Sequence, residues 1–132
     1  MAVEVPRLLI TDDDASFRET LREAFQPQGY ETLLAGDGEE ALQIVRTREV
    51  HVVLLDMHMP KLTGLETLRQ VKRLRGLLPC ILMSAELSER IVEEARQERA
   101  YSVLSKPVTM RQLTRLIDCA LEQIYNWRRP AR

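Results

Sequence analysis

The 132-residue sequence predicts a doubly wound α/β domain, in which a five-stranded parallel sheet is covered by helices on both faces. Two observations predict this class. Short apolar runs alternate with amphipathic segments along the chain, and the run Val52–Asp56 is apolar up to its last residue. A strand without polar alternation is typical of a parallel sheet, because such a sheet is buried on both faces. Right-handed crossovers are strongly preferred, so the helices should cover both sides.

The first strand is predicted at residues 7–11, and Asp14 is placed to cap the helix that follows. Four apolar residues at helical spacing should face the core: Phe17, Leu21, Ala24 and Phe25. Pro27 and Gly29 should end this helix. A second strand is predicted at residues 31–35.

The second and third helices both begin at capping-box patterns, Asp37–Glu40 and Thr63–Glu66. Between them lies the third strand, Val52–Asp56, and Gly76 should end the third helix. The residues expected on the buried faces of these helices are apolar: Ala41, Ile44, Val45, Leu65, Leu68 and Val71.

The last two strands are predicted at residues 80–84 and 101–104. The helix between them should bury Leu87, Ile91 and Ala95, which are four residues apart. A capping box at residues 109–112 should open the fifth helix. Its buried stripe is apolar: Leu113, Leu116, Ile117, Ala120, Leu121 and Ile124.

Composition excludes several classes of protein. The net charge of −1 argues against nucleic acid or an anionic membrane as the main partner. No apolar stretch approaches the roughly 20 residues that cross a bilayer, and residues 1–6 lack the pattern of a secretory signal. Cys80 and Cys119 lie in apolar segments, which favours two buried, reduced thiols. We therefore expect a cytoplasmic protein.

Polar side chains follow four of the five strands. Asp12, Asp13 and Asp14 follow the first strand, Asp56 ends the third, Ser84 ends the fourth and Lys106 follows the fifth. The carboxyl ends of parallel strands meet at one edge of the sheet, where ligands of open α/β sheets bind.

Clustered carboxylates need a cation. Two carboxylates about 4 Å apart repel by about 4 kcal/mol at an effective dielectric constant of 20. Oxygen ligands without histidine or cysteine nearby suit Mg²⁺. A carboxylate beside Mg²⁺, with an ammonium and a hydroxyl group to hold phosphoryl oxygens, could accept a phosphoryl group.

These motifs resemble the receiver domain of two-component response regulators. The resemblance covers residues 7–125 and leaves residues 126–132 as a basic tail or the start of a linker. It is carried by four motifs: Asp12-Asp13, Asp56-Met57-His58-Met59-Pro60 with Gly64, Ser84-Ala85, and Lys106-Pro107. It implies a flavodoxin-like fold with strand order 2-1-3-4-5.

The resemblance also assigns roles to these residues. Asp56 would be the phosphoryl acceptor, with Mg²⁺ held by Asp13, Asp56 and the backbone carbonyl of His58, and by Asp12 through water. Ser84 would be the switch hydroxyl. The donor would be a histidine kinase or a phosphotransfer protein, and the domain would catalyse only its own phosphorylation and dephosphorylation.

Lys106 would contact the phosphoryl group, and the bond between Lys106 and Pro107 is expected to be cis. His58 and Glu86 occupy variable positions that flank the path of the attacking water, so they are candidates for tuning the lifetime of the phosphorylated state. Solvated rim residues are the alternative. The face formed by the fourth helix, fifth strand and fifth helix is a possible homodimer or output surface, although its mixed charges also fit a solvated surface.

The chain departs from the family pattern at two positions. Val103 stands where the family usually has the aromatic switch residue, and Tyr101, two residues earlier, is expected on the same face of the strand. Arg99 replaces a glycine that is common before the fifth strand.

Two other functions compete with the receiver interpretation. A phosphohydrolase of the haloacid dehalogenase type would use Asp12 as nucleophile and Asp14 as acid/base, but it would leave Asp56 without a task. A pseudo-receiver would act only as a binding surface.

Overall fold

The computed structural model describes residues 2–130, which form an all-parallel five-stranded sheet in the order β2-β1-β3-β4-β5. The strands are β1 (Arg7–Thr11), β2 (Glu31–Ala35), β3 (Val52–Asp56), β4 (Cys80–Ser84) and β5 (Ser102–Ser105). The helices are α1 (Ala15–Phe25), α2 (Gly38–Thr47), α3 (Gly64–Leu74), α4 (Glu89–Gln97) and α5 (Met110–Tyr125), with a short 3₁₀ helix at Gln26–Gln28. The predicted fold class and strand order are confirmed.

Side chains alternate between two cores, one on each face of the sheet. Leu9, Val53 and Leu82 pack on the α2, α3 and α4 side, and their neighbours Leu8 and Ile81 pack on the α1 and α5 side. Both β3 and β4 are buried along their whole length, as expected for central strands of a parallel sheet. The sheet thus forms a rigid base for the groups at its carboxyl edge.

The fifth strand begins one residue later than predicted, and this overturns the expectation for Tyr101. The register with β4 begins at Ser102, opposite Ile81, although the Tyr101 N–H already donates to the Cys80 carbonyl at 2.8 Å. Tyr101 therefore lies before β5, and its side chain does not follow the alternation of side chains between the two faces of the sheet. Its side chain packs with the α1 and α5 core and its hydroxyl donates to Gln123 Oε1 at 2.8 Å, whereas Val103 packs in the other core. The two residues do not share a face.

Helix starts follow the predicted caps with one partial exception. Asp14 accepts hydrogen bonds from the backbone N–H groups of residues 16 and 17, and the boxes at Thr63 and Thr109 are complete. Asp37 accepts from the Glu40 N–H at 2.8 Å, but the structure shows only this half of the predicted box, and Lys61 approaches the same carboxylate at 3.5 Å.

Three predicted core positions are wrong. Ile124, in the last turn of α5, is 40% exposed. Leu87 precedes α4, because the hydroxyl of Ser88 accepts from the Ile91 N–H and starts the helix after it, and Leu87 is 38% exposed. Cys119 is exposed on the outer side of α5, between the buried positions 117 and 120, whereas Cys80 is fully buried. Burial raises the pKa of the Cys80 thiol to about 12.

Arg99 adopts the conformation that a glycine would favour. Its φ of 64° lies in the left-handed region, where a side chain costs roughly 1 kcal/mol or more. The turn connects α4 to β5, and the Ala100 N–H donates to the Ala95 carbonyl at 2.9 Å. Arg99 thus holds, at this turn, a backbone conformation that glycine adopts at no steric cost.

The tail is docked on the domain along residues 126–129. Asn126 ends α5 with a φ of 56°, after which Trp127 packs against the ring of Tyr30. The guanidinium of Arg129 pairs with Asp118 at 3.1 Å, donates to the Gln28 carbonyl at 2.9 Å and contacts the Tyr30 hydroxyl. We call residues 126–129 the strap. It lies at the amino-terminal edge of the sheet, since Tyr30 directly precedes β2.

Candidate functional site

Two carboxylates and one ammonium group meet at the carboxyl edge of the sheet. Asp12 follows β1 and Asp56 ends β3, which are neighbours in the sheet. Lys106, which follows β5, reaches both: its Nζ lies 2.9 Å from Asp12 Oδ2 and 3.0 Å from Asp56 Oδ1. Asp12 is 1% and Asp56 5% exposed, so this is a largely buried ion-pair network. The ring of Phe17 lies under the ammonium group, with its centroid 4.7 Å away.

Asp13 completes an acidic cluster that suits a hard cation. Carboxylate oxygens of Asp12, Asp13 and Asp56 all lie within 4.8 Å of one another. Asp13 is exposed, whereas the other two are buried. Three carboxylates with an open, solvent-facing side fit Mg²⁺, which is bound by few protein oxygens and retains several waters.

Burial and neighbouring charge shift the proton affinities of the pair. Burial raises the pKa of the Asp56 carboxyl; the hydrogen bond from Lys106 opposes this, and the charges of Asp12 and Asp13 add to it. Burial lowers the pKa of Lys106, but hydrogen bonds and charge from Asp12 and Asp56 together raise it above its ordinary value. Lys106 is therefore cationic at neutral pH, whereas the charged form of Asp56 is less favoured than that of a solvated carboxylate.

Ser84 lies fully buried at the end of β4, opposite Ser105 of β5. Its hydroxyl accepts a hydrogen bond from the Glu86 N–H at 3.2 Å, and its carbonyl accepts from the Lys106 N–H at 2.8 Å. The Lys106–Pro107 peptide bond is cis, the isomer expected from the resemblance. The last residue of β4 is thus hydrogen-bonded to the first residue after β5, beside the acidic cluster.

The remaining predicted residues lie around the rim or beneath it. The side chains of His58 and Glu86 are exposed, while Val103 is half-buried between the sheet and the α4 side. Asp14 uses its Oδ1 to cap α1, with the Ser16 N–H at 3.0 Å. This capping role gives Asp14 a structural task and does not favour the phosphohydrolase interpretation.

Sequence reasoning missed Arg18. Its Nη1 donates to the backbone carbonyl of Asp12 at 2.6 Å, from the first turn of α1. The only signal in the sequence was that Arg18 lies six residues after Asp12, on the helix that follows Asp12-Asp13-Asp14. A side chain that contacts a backbone carbonyl leaves no pattern of paired charges, so spacing alone does not reveal it.

The charge cluster predicts that Asp13→Asn stabilises the metal-free domain, by up to about 1 kcal/mol because Asp13 is exposed. The substitution removes repulsion from the two buried carboxylates. Urea unfolding in EDTA measures the effect, and saturating Mg²⁺ should remove or reverse it, since the variant lacks a metal ligand. Equal or lower stability in EDTA would contradict the idea that the cluster is strained.

Comparison with known proteins agrees with this geometry. The response regulator receiver domain family matches residues 8–118. Response regulator MprA of Mycolicibacterium vanbaalenii is 37% identical over 109 residues, which make up 81% of this chain and 46% of MprA. Regulatory protein AtoC of Escherichia coli is 32% identical over 118 residues, 89% of this chain and 26% of AtoC. The chain thus spans about half the length of MprA and about a quarter of the length of AtoC.

Solved structures show the same fold. A CheY-like receiver domain protein from Methanospirillum hungatei superposes with a TM-score of 0.90 at 24% identity, covering 93% of this chain and 98% of that one. Chemotaxis protein CheY4 of Vibrio cholerae gives a TM-score of 0.81 at 27% identity, covering 92% and 99%. The chain therefore belongs to the response regulator receiver domain family, whose members act in phosphorylation-dependent two-component signalling.

Proposed function

We propose that this domain accepts a phosphoryl group on Asp56, in the presence of Mg²⁺, from a phosphohistidine of a histidine kinase or phosphotransfer protein. The observation that carries the proposal is the carboxylate of Asp56, buried at the edge of the sheet, paired with Lys106 and clustered with two further aspartates. A carboxylate whose ionised form is held in a buried site, beside a cation, is equipped as a nucleophile.

The transfer is a displacement at phosphorus. A carboxylate oxygen of Asp56 forms a bond to phosphorus while the bond from phosphorus to the imidazole nitrogen breaks, and the nitrogen keeps the electron pair. Lys106 is placed to hold the phosphoryl oxygens, because its Nζ is 3.0 Å from one oxygen of that carboxylate. The products are an acyl phosphate on Asp56 and a free histidine on the donor.

The donor set fits Mg²⁺. Asp13 and Asp56 would hold the ion directly with the backbone carbonyl of His58, and Asp12 would hold it through water. When bound, the ion offsets negative charge on the phosphoryl oxygens. The fit is supported by the distances within the acidic cluster and by its open side at Asp13.

The test is incubation with Mg²⁺ and acetyl phosphate, followed by intact mass measurement. The mass should rise by one phosphoryl group in the wild type and not in Asp56→Asn. Asp14→Asn is the matched control, since its carboxylate caps α1 and should not accept phosphate. Absence of a mass gain at saturating donor would refute the proposal. A mass gain in Asp56→Asn would show that another residue accepts the phosphoryl group.

Phosphorylation would change the conformation of the domain through movements of Ser84 and of the residues around Val103. The hydroxyl of Ser84 would move toward the phosphoryl group from its present contact with the Glu86 N–H, and Lys106 with its cis bond to Pro107 would follow. Val103 has no long side chain to change rotamer, so any re-packing on the α4 side would involve its small side chain and that of Ala95.

His58 and Glu86 are proposed to tune the lifetime of the phosphorylated state. Both side chains are exposed at the rim of the site, where water must pass to reach the acyl phosphate. Replacing both with alanine should change the rate of dephosphorylation several-fold, measured by loss of the phosphoryl mass after removal of the donor. An unchanged rate would leave them as solvated rim residues.

The remaining assignments are extensions of this proposal. The domain would span residues 7–125 and catalyse only its own phosphorylation and dephosphorylation. A second copy or an output would bind the face of α4, β5 and α5, where Val92 is 41% exposed among charged side chains. Within residues 2–130, no helix has the length and apolar character to cross a membrane.

A further inference from the structure

The guanidinium of Arg18 links two loops at the carboxyl edge of the sheet. Its Nη1 donates to the carbonyl of Asp12, in the loop between β1 and α1, at 2.6 Å. It also lies against Gly36, in the loop between β2 and α2: a Cβ atom added to Gly36 would be 3.4 Å from Nη1 and 3.8 Å from Cζ. The half-buried side chain therefore fills the space between these loops.

Every polar group of Asp12, in the backbone and in the side chain, makes a hydrogen bond within the domain. Its N–H donates to the Ala35 carbonyl at 3.1 Å, and its Oδ1 accepts from the Asp14 N–H at 2.9 Å. Its Oδ2 accepts from Lys106, and its carbonyl accepts from Arg18. Because the residue is 1% exposed, a lost contact is poorly replaced by water. The bond from Arg18 is charge-assisted and short, so it is among the stronger of these contacts.

Arg18 does not act as a counter-ion of the acidic cluster. Among residues 2–130 it has no carboxylate oxygen within 4.0 Å, although three aspartates lie nearby in sequence. The charge that faces Asp56 comes from Lys106. The contribution of Arg18 is therefore geometric: it fixes the backbone from which the Asp12 and Asp13 side chains project.

We propose that Arg18 is a positioning residue for phosphoryl acceptance. By holding the Asp12 carbonyl, it sets the distance and direction of the Asp12 and Asp13 carboxylates relative to Asp56. This inference rests on the proposed function. Displacement of a catalytic group by about 1 Å can cost on the order of a hundredfold in rate, so a residue that touches no reacting atom can still control the reaction.

The test compares the phosphorylation rates of Arg18→Ala, Arg18→Lys and the wild type at varied acetyl phosphate and Mg²⁺. Arg18→Ala should lower the maximal rate roughly ten- to a hundredfold, with little change in the donor concentration that gives half-maximal rate. Arg18→Lys keeps one charged donor and should restore part of the rate. Arg22→Ala is the matched control, since Arg22 is one turn further along α1 and pairs with Glu19 at 2.5 Å.

The outcomes separate the two claims. A wild type that gains no phosphoryl group refutes the proposed function itself. A labelled wild type with an equally fast Arg18→Ala variant overturns the positioning role alone, and so does a rate for Arg18→Lys no higher than that of Arg18→Ala. If Arg18→Ala is unfolded in urea titrations, Arg18→Gln replaces it, and a folded Arg18→Gln variant that reacts at the wild-type rate overturns the role.

Discussion

Alanine at position 64 is expected to lower the free energy of unfolding by about 2–3 kcal/mol, the range of overpacked cores. A Cβ atom on Gly64 would lie 2.5 Å from the carbonyl oxygen of Asp56 and 2.8 Å from the Cα of Met57. These are backbone atoms, and they cannot rotate away. The Gly64 N–H also donates to the Met57 carbonyl at 2.9 Å, so α3 cannot move without breaking that contact.

The same substitution should slow phosphorylation, because relief of the clash must move the backbone of Asp56. Urea unfolding gives the loss of stability, and intact mass after reaction with acetyl phosphate gives the rate. Gly76→Ala is the matched control: the nearest atoms to its added Cβ are 3.7 and 3.8 Å away, so its stability should change by less than about 0.5 kcal/mol. Equal effects at both positions would contradict the steric explanation.

Methionine at position 106 is expected to destabilise the metal-free domain by about 2–3 kcal/mol at pH 7. Removing one partner from a buried ion-pair network leaves uncompensated charge, which costs roughly 3–5 kcal/mol when burial is complete. Lys106 is partly exposed, with 24% of its side chain accessible, so we expect a loss of about 2–3 kcal/mol instead of the full cost. Asp12 and Asp56 would then repel each other with no cation between them.

The loss should depend on pH in a defined direction. Burial already raises the pKa of Asp56 in the wild type, and removal of Lys106 raises it further. A carboxyl group whose folded pKa is raised contributes stability below its unfolded pKa and loses it as pH rises through the folded value. The variant should therefore approach the wild type near pH 4 and diverge toward pH 7, as measured by urea unfolding in EDTA.

Lys61→Met is the matched control for this charge removal. Lys61 pairs with Asp37 and Glu39 at 3.5 and 3.7 Å, but its side chain is 58% exposed. Exposed ion pairs contribute little to stability, so Lys61→Met should leave the free energy of unfolding nearly unchanged. A loss at Lys106 that is small, or that stays constant between pH 4 and pH 7, would show that the network is not under the electrostatic stress inferred from its burial.

The sequence predicted the strands well because the central runs are apolar throughout. The observed bounds of the first four strands equal the predicted ones. The carboxyl ends of β1, β3 and β5 bring Asp12, Asp56 and Lys106 together as expected. Convergence at one edge follows from parallel topology alone, so the cluster could be predicted without knowledge of side-chain conformation.

The errors arose where local geometry overrides periodicity. Leu87 fits a four-residue spacing, but a serine cap starts the helix after it. Tyr101 fits a two-residue spacing, but it precedes β5, and its side chain packs in the opposite core from that of Val103. The contact of Arg18 with a carbonyl and the docking of Arg129 on Gln28 depend on how the chain returns after a turn. Neither leaves a periodic signal.

The strap gives the protein an intrinsic optical probe. Trp127 is the only tryptophan, so the tryptophan fluorescence comes from a ring that lies against Tyr30, with the two planes tilted by 45°, at the end of the sheet remote from Asp56. Emission therefore reports whether the carboxyl-terminal segment is seated, independently of events among the aspartates. A spectral change on addition of Mg²⁺ would mean that the two ends of the domain communicate through the sheet or α5.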